Sequence, residues 1–112
     1  KDKLHGMCVR VPTSNVCGAQ LNLFYGSHIL ETDVSSLLVK SDQFTSGLLD
    51  LVSDQMVSSD FLGTSCNTHV DSKWIDVTND GLLRLFIWYD NEWAYASNVL
   101  RLISLCSSHT KV

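Results

Sequence analysis

The sequence predicts an α+β fold: a mostly antiparallel mixed sheet with one short helix and one long C-terminal helix. Three observations lead there. Short runs of alternating apolar and polar residues are joined by brief turns, a nearly continuous apolar run occupies 82–89, and an amphipathic stretch follows it towards the C-terminus. No repeat, linker or low-complexity segment divides the 112 residues, so one domain over 1–112 with five or six strands is expected.

Met7, Val9 and Val11 alternate with Cys8 and Arg10 as in a half-buried strand, and Pro12 ends it because proline has no amide for the ladder. Thr13-Ser14-Asn15 turns the chain into a second strand, where Ala19, Leu21, Leu23 and Tyr25 alternate with Gln20 and Asn22 until Gly26-Ser27. Thr32 is placed to cap a short helix carrying Val34, Leu37 and Leu38, which Ser41-Asp42 interrupts. Gly47 to Val52 reads as a short apolar strand. Gln55 to Phe61 reads as another, although Ser58, Ser59 and Asp60 have poor strand propensity. Lys73, Ile75 and Val77 alternate with Trp74 and Asp76, and Asn79-Asp80-Gly81 supplies the residues of a hairpin turn before Leu82.

The run from Leu82 to Trp88 has only Arg84 charged, which suits a strand covered on both faces. Asp90 is expected to cap the long helix, from about Asn91 to Cys106, with Glu92 near the positive end of its dipole. Trp93, Ala96, Val99, Leu100, Ile103 and Cys106 recur at the spacing of one helical face, widened by Leu102 and Leu105. Glu92, Asn98, Arg101 and Ser104 are left for water. That stripe is broader than a small sheet can cover, so it is expected to meet something outside this chain.

A net charge of −4, with eight Lys and Arg scattered along the chain, excludes nucleic acid as a partner, because phosphate binding needs concentrated cations. No stretch of about 18 apolar residues offers a membrane span, and no N-terminal signal pattern is present, so a soluble intracellular protein is expected. The chain begins with Lys1 rather than Met, which predicts processing, trimming or an incomplete chain. Cys8, Cys17, Cys66 and Cys106 lack C-x-x-C spacing, and His5, His28, His69 and His109 are dispersed. No metal site is expected, and the thiols are expected to be reduced.

Trp88-Tyr89-Asp90-Asn91-Glu92-Trp93-Ala94-Tyr95 resembles the signature near the C-terminus of the glyceraldehyde-3-phosphate dehydrogenase family. Gly6-Met7-Cys8-Val9-Arg10-Val11-Pro12-Thr13-Ser14-Asn15-Val16 resembles the same family's Gly-Met-x-x-Arg-Val-Pro-Thr-x-Asn-Val strand, and Asp54 to Phe61 its Asp-Gln-Val-Val-Ser-x-Asp-Phe segment. The resemblance covers almost the whole chain, but only the last third of the family's polypeptide, the second half of its catalytic domain. It implies a mixed sheet with helices on one face.

Taken residue by residue, the resemblance implies that Arg10 contributes to a phosphate subsite. It further implies that the Asn91 amide binds the nicotinamide carboxamide, with Tyr95 beside the ring, provided a dinucleotide-binding half holds NAD or NADP. On their own terms Arg10 reads as a surface strand residue, Asn91 as a helix-start residue and Tyr95 as a core aromatic. Ser65-Cys66-Asn67-Thr68-His69 superficially resembles the family's nucleophile string, but its distance from Trp88 places it downstream, so no catalytic residue is expected here. Departures from the family pattern stand at His5, Gln20, His69, Ala94, Asn98 and Arg101.

Two functions compete. One is a catalytic-domain segment of an NAD(P)-dependent phosphorylating aldehyde dehydrogenase of glycolysis or carbon fixation, inactive as this chain alone. The other is a diverged, non-catalytic paralogue acting as a structural or docking subunit of a larger complex. Both predict an oligomer in which the C-terminal helix meets a dinucleotide-binding domain or another subunit, in the cytoplasm or in an organelle such as a plastid.

Overall fold

The structure, a computed structural model, describes residues 4–8 as backbone together with 12–26 and 30–109, with side chains for 12–26 and 30–108. Its strands are β1 (Leu4–Cys8), β2 (Cys17–Phe24), β3 (Leu49–Val52), β4 (Thr68–Asp71), β5 (Asp76–Val77) and β6 (Leu82–Tyr89). Its helices are α1 (Glu31–Val39), α2 (Asp42–Thr45) and α3 (Trp93–His109). The sheet order is β1-β2-β6-β4-β3, with β5 also on β6. Every pairing is antiparallel except β3 with β4. The α+β expectation is met, with two short helices rather than one.

β6 is the spine of the sheet, and its apolar run is buried from both sides. Leu83, Leu85 and Ile87 face the main core, where Val34 and Leu38 of α1 pack with Val70, Ile75, Leu21, Leu23, Leu49 and Leu51. The alternate residues Phe86 and Trp88 face the opposite side, where Val16, Val52 and Phe61 form a second core with Met56. Phe61 stacks on Trp88 at 5.7 Å and tilts against His69 at 4.7 Å. Two cores on one sheet explain why a strand of near-continuous apolar residues sits at its centre.

Several elements depart from expectation. The first strand is described over Leu4–Cys8, and residues 9–11, where its end is expected, lie outside the described residues. α1 begins at Glu31, a residue before Thr32, and its first turn is tied by Leu30 N–H donating to the Asp33 carboxylate at 3.3 Å. Ser41 does not simply interrupt α1: its hydroxyl accepts from Phe44 N–H at 3.2 Å and caps α2.

The segment from Gln55 to Phe61 is not a strand. Ser58–Phe61 forms a 3₁₀ turn, and the Asp60 carboxylate accepts from Val57 N–H at 2.8 Å, a local bond that competes with any ladder. Likewise Ser72–Trp74 is a 3₁₀ turn, set by Lys73 N–H donating to Asp71 at 3.1 Å, so the expected strand shrinks to Asp76–Val77. The hairpin itself stands, closed by Thr78 N–H to Leu82 C=O at 2.9 Å with Gly81 at φ 82°.

α3 keeps its apolar stripe outward, but not all of its polar residues face water. Ala94 is buried and Ser97, Asn98 and Arg101 are half-buried, whereas Trp93, Leu100, Leu102, Ile103 and Leu105 are each more than half exposed. Asn98 and Arg101, expected in water, form the inward face. Asn98 donates to Ala94 C=O at 2.7 Å, and one Arg101 guanidinium nitrogen is buried without a partner among the described residues. No helix among the described residues is long and apolar enough to cross a membrane.

Candidate functional site

Where β6 gives way to α3, Asp90 is 1% exposed. A carboxylate is tolerated there because every direction around it supplies a donor. Asn15 Nδ2 donates to it at 3.2 Å, Gly63 N–H at 2.9 Å, Glu92 N–H at 3.0 Å and Trp93 N–H at 2.9 Å. Burial works against the charge, but the bonds from Gly63, Trp93, Glu92 and Asn15 outweigh it, and the carboxyl is held below its usual range. Asp90 therefore does more than cap a helix. It fixes α3, which starts at Trp93 rather than Asn91, against two loops from distant parts of the chain.

The Asn15 loop is itself constrained. Asn15 Oδ1 accepts from Val16 N–H at 2.8 Å, and Val16 sits at φ 71°, a conformation that costs a β-branched residue about 1–3 kcal/mol. Burial of Val16 against Val52 and Phe61 holds it there.

This corner presents Asn91 and Tyr95. Both side chains are exposed, Tyr95 to 71%, so neither belongs to the core. Asn91 Oδ1 accepts a weak bond from the Cys17 thiol at 3.6 Å, and among the described residues its amide nitrogen has no acceptor. An exposed amide donor beside an exposed phenol ring can take a planar group bearing a carbonyl. Arg10 lies outside the described residues.

Cys66 lies apart from that corner. Its thiol donates to Thr68 C=O at 3.5 Å, and burial pushes its pKa up, the opposite of what a nucleophilic thiolate needs. Cys17 and Cys66 are free thiols. Among the described residues no group of three His, Cys, Asp or Glu is placed to hold a metal.

Two arrangements were not foreseen from the sequence. Buried His69 bonds through Nδ1 to Asp50 at 3.1 Å and through Nε2 to the Thr64 hydroxyl at 3.1 Å. That hydroxyl also accepts Cys66 N–H at 3.3 Å, so the chain of bonds fastens the 64–66 loop to β3 and β4. The second is an open cavity of about 350 Å³ on the sheet face carrying Phe86, between the turn at Ser72–Trp74 and β6. The exposed Trp74 is the signal that could have pointed to it.

Comparison with known proteins places the corner in context. Residues 1–91 match the family model described as glyceraldehyde 3-phosphate dehydrogenase, C-terminal domain. Glyceraldehyde-3-phosphate dehydrogenase 2 of Synechocystis sp. is 32% identical over 97% of this chain and 33% of its own length. The cytosolic enzyme of Taxus baccata is 36% identical over 90% of this chain and 30% of its own, and a chloroplastic enzyme of Arabidopsis thaliana is 31% identical over 99% and 28%. The chain spans about a third of the length of these curated relatives. With its sheet order, its Asp90 corner and this match in hand, the chain belongs to the glyceraldehyde-3-phosphate dehydrogenase family, as part of the C-terminal domain.

Proposed function

We propose that this chain supplies the C-terminal part of the catalytic domain of an NAD(P)-dependent oxidoreductase that carries out phosphorylating aldehyde oxidation. One observation carries the reading: the buried Asp90 holds Asn91 and Tyr95 at the surface, beside a helix whose apolar residues Trp93, Leu100, Leu102 and Ile103 are more than half exposed among the described residues. That is one wall of a site whose other wall comes from elsewhere. The nicotinamide ring, when bound, accepts the hydride. Asn91 has an amide N–H to donate to a ring carboxamide, Tyr95 offers an aromatic edge, and Arg10 is assigned to a phosphate.

The outward face of α3 is the seat for a dinucleotide-binding domain or another subunit, and the assembly is oligomeric. The domain is taken to run over 1–112. No nucleophile is assigned within the chain, so it is inactive alone. Relatives named as cytosolic and chloroplastic support a place in the cytosol or a plastid.

A second reading, a non-catalytic paralogue that docks in a larger complex, is favoured by Arg101, a departure from the family pattern on the inward face of α3 with one buried guanidinium nitrogen that has no hydrogen-bond partner among the described residues. One experiment separates the readings. This chain is mixed with the other two-thirds of the Synechocystis relative and NAD-dependent oxidation of glyceraldehyde 3-phosphate is followed. Turnover that appears only in the mixture, and falls when Asn91 becomes Ala, supports the first reading. A stable complex without turnover supports the second, and turnover by the chain alone overturns both.

A further inference from the structure

The open cavity beside β6 has a built lining that the Asn91 corner does not use. Its floor is Phe86, which pairs in register with Gln20 on β2. The Phe86 ring is held on two sides. A Cβ at Gly18 would lie 2.7 Å from its Cζ, so the ring leans over the glycine, and Trp88 meets it edge-on at 5.0 Å. One wall is Trp74, 66% exposed, on a turn fixed by the Asp71 carboxylate. The rim carries three charges. Arg84 is ion-paired with Asp76, its register partner on β5. Lys73 has no acidic partner among the described residues. Two cations and one anion leave the lining at a net charge of +1 on a chain of −4.

We propose that this cavity binds a small molecule consisting of a planar aromatic ring with an anionic substituent. Its volume of about 350 Å³ lies in the range of small-molecule sites, which are mostly apolar with a few placed polar groups. The ring lies against Trp74 and Phe86, covering an indole that otherwise stands in water, and stacking of this kind accepts any flat π-face. The anion meets Lys73, while Asp76 keeps Arg84 in place at the rim and repels a second negative group. An aliphatic acid leaves both aromatic faces wet, and a neutral ring leaves Lys73 unmatched. Both bind more weakly.

The test is NMR titration of the chain with four probes: indole-3-acetate, adenosine 5′-monophosphate, neutral indole and acetate. Saturable shifts of the Trp74 indole N–H and the Phe86 amide are expected with the first two, and binding about tenfold weaker with the last two. Tighter binding of the monophosphate assigns the anion as phosphate, and tighter binding of indole-3-acetate assigns it as carboxylate. Either result supports the shared chemistry. Trp74→Ala and Lys73→Met alter exposed side chains and leave folding intact, and each should weaken binding about tenfold. Shifts confined to α3, no saturation up to roughly millimolar probe, or unchanged affinity in both variants overturn the proposal.

Discussion

Asp90 accepts the backbone amide of Gly63 at 2.9 Å across 27 residues of sequence, with the same carboxylate holding Asn15 from 75 residues away. This one buried anion ties the Asn15 and Gly63 loops to the start of α3. Replacement by Asn keeps the size but substitutes an NH₂ for one oxygen, setting donor against donor. Asp90→Asn should lower unfolding stability by about 1.5–3 kcal/mol, the range for bonds to a charged group. Urea denaturation of the two proteins measures it, and a difference within about 0.5 kcal/mol would return Asp90 to a surface cap.

The same carboxylate gives the stability curve an acid limb. Its folded pKa is lowered, so between the folded and unfolded values the unfolded chain binds more protons. Its contribution is complete above about pH 5, where the unfolded carboxyl is largely ionised, and is lost as pH falls through the lower folded value. Melting temperature measured from about pH 6 down to pH 2.5 should fall less steeply in Asp90→Asn than in the parent. Parallel curves would assign the acid limb to other carboxylates.

Periodicity made some of this legible and hid the rest. β6 was readable because its two cores demand apolar residues on both faces, and the hairpin because Asn79-Asp80-Gly81 permits the turn. α3 was readable as a helix, but a 3.6-residue repeat shows that two faces differ, not which one turns inward. Here Asn98 and Arg101 turn inward and the apolar stripe outward. β4 is not legible because, although both of its faces are buried, one carries His69 and Asp71 and only Val70 is left as an apolar signal. Gln55 to Phe61 has a strand-like start in its sequence, yet Asp60 bonds its own turn and takes the segment out of the ladder. At the site, Asn91 and Tyr95 were named from a resemblance. The donors to Asp90 come from the topology, which no local pattern encodes.

Gly18 is a position where the sheet admits no side chain. A methyl there would meet Phe86 at 2.7 Å and Trp88 at 3.4 Å, and the two rings are already in edge contact at 5.0 Å. Gly18→Ala should cost about 1–3 kcal/mol, the usual penalty of overpacking, despite the higher strand propensity of alanine. It should also move the Phe86 ring resonances. A neutral or stabilising result in urea unfolding would mean that the ring moves aside freely.

The exposed stripe on α3 yields the last prediction. Covering a large aliphatic side chain is worth about 1.5–3 kcal/mol, and Trp93, Leu100, Leu102, Ile103 and Leu105 are all more than half exposed, which makes the isolated chain prone to association. Light scattering should show oligomers that grow with concentration, and apolar dyes should bind. Leu100→Lys with Ile103→Lys places charge in the stripe without touching the inward residues Ala94, Asn98 and Arg101, so unfolding stability of the monomer should change by less than about 0.5 kcal/mol. Association and dye binding should drop together. The same pair should abolish complex formation with the remaining two-thirds of a relative while leaving the Asp90 corner intact. A parent chain that is monodisperse, binds no dye and protects every amide of α3 from exchange would show that the stripe needs no partner.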